Sequence, residues 1–159
     1  MLAGFFVLSA PSAQAETRIG FVNGQRVITE SPQAIKAKKK IEKEFEKRNE
    51  DLQKMAKQLQ SMQETMEKNA VTLSESDRRN KEREFNDMNR EFQRKQREFR
   101  EDLNLRQNEE MAAIYERANK VIRQIAEAEK FDLILQEAVY FSPRIDLTDK
   151  VLKALVDGK

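Results

Sequence analysis

Across residues 33–142, apolar side chains recur every three or four positions on a densely charged background, and neither glycine nor proline interrupts them. Those two residues break helices most effectively. The pattern therefore predicts long helices with a narrow apolar stripe and little globular core. In the first helix the stripe is Ile41, Phe45, Leu52, Met55, Leu59, Met62, Met66 and Leu73. All eight fit one heptad phase, which favours a coiled-coil seam between paired helices. Arg48 and Asn69 fill skipped heptad positions, so polar residues sit in the seam. Ser74 followed by Asp77 resembles a capping box, in which the hydroxyl satisfies one free N–H and the acid another. The turn is placed near 74–77, with helix one ending near Leu73 and helix two starting near Glu75. So short a connection forces antiparallel neighbours. Helix two carries Phe85, Met88, Phe92 and Phe99 in one phase. Leu103 breaks it before Ile114, Ala118, Val121, Ile125 and Ala128 resume the spacing, and the slip relaxes the supercoil locally. The helices should measure roughly 60 and 80 Å, so the longer one runs past its partner into the rest of the molecule.

The two ends read differently. Arg18-Ile19-Gly20-Phe21-Val22 suits a strand closed by Asn23-Gly24. Val27 and Ile28 suit a short helical turn, and Ser31-Pro32 supplies an N-cap followed by proline at the first helical position. Phe131 to Gln136 and Ala138 to Phe141 read as two further strands, ended by Ser142-Pro143. Asp146 and Asp149 bracket the start of a last helix with Leu147, Val151, Leu152 and Leu155 on its apolar face. The chain thus divides into a body (16–31 and 131–159) and a hairpin arm (32–130). A body of 45 residues without cysteine or evident metal ligands seldom folds alone, and short strands leave open edges. Self-association is the expected remedy, with strands of several chains closing a common sheet or barrel. The residues expected to build that oligomeric body are Ile19, Phe21, Val22, Leu133, Ile134, Leu135, Val139 and Phe141. The fold class is mainly α: a long antiparallel coiled-coil hairpin projecting from a small oligomeric β-barrel body.

Composition narrows the function. Charged residues make up 36% and aromatics 7% of the chain, with no Trp, Cys or His. Thiol nucleophiles, histidine bases, disulfides and the usual zinc sites are therefore excluded, and no cofactor or metal is implied. No phosphate-binding glycine loop is present. Acids abound, but at charge-pair spacing on exposed helical faces, with no sign of a desolvated cleft. An enzyme is the least fitting class. Net charge is only +2, and nucleic-acid binders concentrate basic surface, so nucleic acid is not the expected partner. The apolar run Leu2 to Leu8, then Pro11, then Ala13-Gln14-Ala15 reads as a signal peptide over 1–15, although no Lys or Arg precedes the run. It is too short for a membrane span, which needs about 20 apolar residues. The expected address is the periplasm, as an exported soluble protein.

The order of these blocks resembles the Skp (OmpH-like) periplasmic chaperones. The residues that carry the likeness are Thr17-Arg18-Ile19-Gly20-Phe21-Val22-Asn23, the charged hairpin, Phe131-Asp132-Leu133-Ile134-Leu135, and Asp146-Leu147-Thr148-Asp149-Lys150-Val151-Leu152. The resemblance implies a homotrimer with a small β-barrel body and three arms around a cavity. It implies an ATP-independent holdase for unfolded outer-membrane β-barrel proteins, and a contact with lipopolysaccharide. For that contact Lys95 and Arg106 fall where the family shows basic residues, whereas Leu105 stands where a second arginine is expected. The residues add their own argument. Unfolded barrels offer alternating apolar segments, and methionine re-packs readily around varied partners. Met55, Met62, Met66 and Met88 lie in the outer arm with Phe85, Phe92 and Phe99. These seven are client-contact candidates, or they simply pack the two helices together. Nine Lys/Arg against five acids between 78 and 100 give either a solvated face or attraction to acidic clients and anionic membrane surface. The competing reading is a structural coiled coil of the cell envelope without chaperone activity.

Overall fold

The computed structural model describes residues 17–156, so the expected signal peptide lies outside the described residues. The elements in order are β1 (Ile19–Phe21), α1 (Gly24–Glu30), α2 (Pro32–Lys68), α3 (Glu75–Glu129), β2 (Leu133–Leu135), a 3-10 turn (Pro143–Ile145) and α4 (Thr148–Val156). The protein is mainly helical with a small strand part. Three side-chain caps start the first three helices. Asn23 Oδ1 accepts from the Arg26 N–H at 3.0 Å, Ser31 Oγ from the Ala34 N–H at 3.2 Å, and Ser74 Oγ from the Asp77 N–H at 3.1 Å. The last is half of the expected box: the Asp77 carboxylate accepts from the Ser74 hydroxyl at 2.6 Å.

α2 and α3 lie antiparallel. Phe45 meets Phe99 edge to face at 5.5 Å, and Arg48 reaches Asp102 at 2.8 Å. All eight residues of the first stripe are buried or half-buried, as the heptad phase requires. Helix one ends earlier than expected, at Lys68 rather than near Leu73. Asn69 caps it, and the Thr72 and Leu73 N–H groups both donate to the Asn69 carbonyl at 3.0 Å. The turn therefore spans 69–74, folding Leu73 back toward the seam. At about 1.5 Å per residue, the 55-residue α3 is about 80 Å long and outruns α2.

That overhang builds the body. Ala118, Val121 and Ile122 of α3 join Val22, Val27, Leu147, Val151 and Leu155 in one buried cluster. α3 stops at Lys130, whose left-handed backbone (φ 56°, ψ 48°) turns the chain back. The Phe131 N–H then donates to the Ala126 carbonyl at 2.9 Å, the bond that closes a Schellman-type end. β2 runs beside β1 in parallel, with Ile19 facing Leu133, Gly20 facing Ile134 and Phe21 facing Leu135. Gly20 packs closely under Leu147: a Cβ there would stand 2.6 Å from Leu147 Cδ1, so the leucine side chain would have to shift. Thr148 is a buried polar group partnered where the elements meet. Thr148 Oγ1 donates to Asp146 Oδ1 and accepts from the Asn23 N–H at 2.9 Å.

Two expectations about the body need correction. Residues 138–141 form no strand. Phe141 stacks on Phe21 at 3.7 Å, while Val139 and Tyr140 stand in solvent. A strand needs a neighbouring edge, and a single chain offers this segment none. Phe21 and Val22 also differ from the other oligomer candidates, because both are already buried within the chain. Ile19, Leu133, Leu135 and Val139 remain exposed. One chain thus supplies a two-stranded parallel sheet with an uncovered apolar edge.

Candidate functional site

The arm offers two apolar grooves between its helices. The outer one encloses about 710 Å³ and is lined by Met55, Met62, Met66 and Met88, with Ser61 and Thr65 beside them and Lys81, Glu84, Asp87 and Glu91 among its other lining residues. It forms because the methionines occupy the inner stripe of both helices near the tip, where an unbranched side chain fills space without sealing it. Each of the four is half-buried. Phe85 and Phe92 are half-buried in the same stretch but do not line this groove, and Phe99 pairs with Phe45 lower down. The structure thus gathers the four outer methionines, places Phe85 and Phe92 outside their groove, and puts Phe99 in the lining of a second groove nearer the body.

The basal groove was not anticipated. About 840 Å³ opens near the body, lined by Ile28, Ala34, Ala37, Ile41, Leu103, Met111 and Ile114 among others. Its signals in the sequence are the break of phase at Leu103 and, further toward the body, the small residues Ala34 and Ala37, all of which line the groove.

Alongside the basal groove a band of charges ties the helices. Arg106 contacts Glu44 at 3.2 Å, Glu109 at 2.8 Å and also Glu110. Lys40 reaches Glu110 at 3.3 Å. The Glu110 carboxyl is held below the usual glutamate range, chiefly by the Lys40 hydrogen bond, with further help from Arg106. The Arg106 guanidinium is pushed up, chiefly by Glu109. Arg48 occupies one of the polar heptad positions of the seam. Its guanidinium lies 5.4 Å from the Phe45 ring and 5.8 Å from the Phe99 ring while pairing with Asp102, so cation–π attraction fills the heptad position. The two lipopolysaccharide candidates differ in state. Arg106 spends its donors on three carboxylates, whereas Lys95 is exposed and meets only Glu91, at 3.7 Å.

Among the described residues no helix is long and apolar enough to cross a membrane, and no group of three His, Cys, Asp or Glu could hold a metal. A small body with a long two-helix arm that carries open apolar grooves defines a helical-arm binding protein. The chain belongs to the OmpH-like outer membrane protein family, whose model matches residues 18–155. A crystal structure from Caulobacter crescentus CB15, assigned as an OmpH-like outer membrane chaperone, shares the fold with a TM-score of 0.75. Identity is 18%, over 98% of this chain and 91% of that one. No curated protein matches the sequence.

Proposed function

We propose that the chain is an ATP-independent periplasmic holdase that keeps unfolded outer-membrane β-barrel proteins soluble. The observation that carries this reading is the outer arm groove: four half-buried methionines on a hairpin that stands clear of the body core. An unfolded barrel segment presents apolar side chains on alternate residues. A methionine-lined cleft accommodates such segments in many registers, because its walls re-pack at small cost. The cluster of acids and bases around it keeps the free arm in water.

The body supports assembly. Its exposed Ile19, Leu133 and Leu135 belong to a sheet too small to stand alone, and Val139 is exposed in the segment that follows it. Three copies closing these edges into a small barrel, with 131–159 and 16–31 from each, would place three arms around one cavity. Lys95 is the residue proposed to meet anionic headgroups of lipopolysaccharide, since Arg106 is held by its own carboxylates.

The test is dilution of a urea-unfolded outer-membrane barrel protein into buffer with and without the protein, no nucleotide present, followed by light scattering. A holdase suppresses the scattering in stoichiometric proportion to its trimer. Unchanged scattering would leave the structural coiled-coil reading in its place. Sedimentation equilibrium of the free protein checks the assembly, and a folded monomer at micromolar concentration would rule out the shared barrel. In lipopolysaccharide titrations Lys95→Ala should weaken binding while Arg106→Ala leaves it close to that of the parent chain.

A further inference from the structure

We propose that the outer groove is an oxidation site: two-electron oxidants convert Met55, Met62, Met66 and Met88 to sulfoxides, and the modified arm loses its hold on apolar clients. The functional half of this rests on the holdase reading above.

Four of the five methionines among the described residues line this one groove, the fifth being Met111 in the basal groove. On α2 they fall at i, i+7 and i+11, positions that repeat on one helical face. All four are half-buried, so the sulfurs are neither sealed in a core nor carried on a fully solvated surface, and a small oxidant can reach an open groove. The rest of the composition channels oxidant to them. The chain has no Cys, His or Trp, so among its side chains thioether sulfur reacts fastest with such oxidants.

With hypochlorous acid as the oxidant, the sulfur lone pair attacks oxygen, the O–Cl bond breaks and the S–O bond forms. Chloride and a proton leave. Sulfur gives up two electrons and chlorine takes the same two. The product is a polar acceptor where the groove had an apolar wall. Lys81 lines the groove and makes no ion pair among the described residues, so its ammonium can donate to a sulfoxide oxygen. The oxidised arm therefore stays helical while its affinity for apolar segments drops. The body is insulated, because its core cluster contains no methionine.

The experiment treats the full-length protein with hypochlorous acid and maps added oxygen by peptide mass spectrometry. Affinity for an unfolded outer-membrane barrel protein is measured before treatment, after it, and after methionine sulfoxide reductases. Oxygen should appear on all four groove methionines, affinity should fall about tenfold or more, the reductases should restore it, and circular dichroism should stay helical. The variant Met55→Leu/Met62→Leu/Met66→Leu/Met88→Leu, compared with its own untreated sample, should show no loss of affinity under oxidant, with Met111 still oxidisable as the internal control. Four sulfoxides with unchanged affinity would overturn the inference. So would groove methionines that stay reduced while Met111 oxidises, or a quadruple variant that loses affinity as the parent does. Failure of the untreated protein to bind the barrel client counts against the holdase reading instead, and the oxygen map still decides whether the groove is an oxidation site.

Discussion

The body and the arm are held together by opposite means. In the body, Val22 and Val151 are fully buried, and the packing joins residues more than a hundred positions apart. In the arm, the apolar side chains are mostly half-buried, and charge pairs within one turn or directly across the hairpin do much of the positioning. A region that needs one arrangement excludes water. A region that must meet varied partners keeps its apolar groups at the boundary, where the alternatives differ little in energy.

The sharpest way to break this contrast is to make the same truncation in both regions. Leu155→Ala in the body should cost about 3 kcal/mol, as a buried leucine leaves a cavity behind it. Leu52→Ala in the arm should cost about half as much, because the side chain is only half-buried and water and neighbouring side chains can enter the seam. Urea unfolding at fixed protein concentration measures both, and equal losses would erase the distinction. Gly20→Ala comes next. The new methyl would press on Leu147 and should cost about 1–3 kcal/mol by overpacking, read as a lower urea midpoint. Lys130→Gly tests the point where arm gives way to body. Relieving the left-handed backbone of a residue with a Cβ should stabilise by about 1 kcal/mol, seen as a higher Tm.

Two further measurements sharpen the comparison without mutating it. Hydrogen exchange should be fast across 60–100 and slow in β1 and across 118–125, since local opening follows exposed ladders and thin packing. Uniform protection would contradict the contrast. The smallest effect is that of acid on the charge band. The folded-state pKa of Glu110 lies below the ordinary value of 4.5. Its contribution is therefore fully present above about pH 4.5 and is lost as pH falls through the folded value, because the unfolded chain takes up the proton first. Thermal melts of Lys40→Met, which removes the main cause of that shift, should show a shallower decline below this point than melts of the parent.

Much of the arm was legible in the sequence, because a heptad seam is a local property. Ile41 through Met66 fall where the phase puts them, and Ser31-Pro32 and Ser74 mark helix starts by chemistry that acts over three residues. The early end at Lys68 was not legible, since Asn69 and Leu73 each suit either a helix or its cap. The body was half legible. Its apolar runs announced buried segments, but the parallel pairing of β1 with β2 and the strand-free course of 138–141 depend on which edges a distant neighbour leaves open. The candidate site divides in the same way. The methionine stripe could be read from spacing. The basal groove could not, because its width is set by how far apart two helices stand around Ala34, Ala37 and Leu103.

The arm is inserted between two parts of the body that find each other across it: the Arg18 N–H reaches the Asp132 carboxylate at 2.6 Å, and the Arg18 guanidinium reaches the Glu129 carbonyl at 2.6 Å. That clasp fixes the base of the hairpin without reference to how far the hairpin runs. Matched seven-residue excisions from both helices would keep every remaining pair opposite its partner. Reach can then change by whole heptads through evolution or engineering, a telescoping limb on an unchanged shoulder.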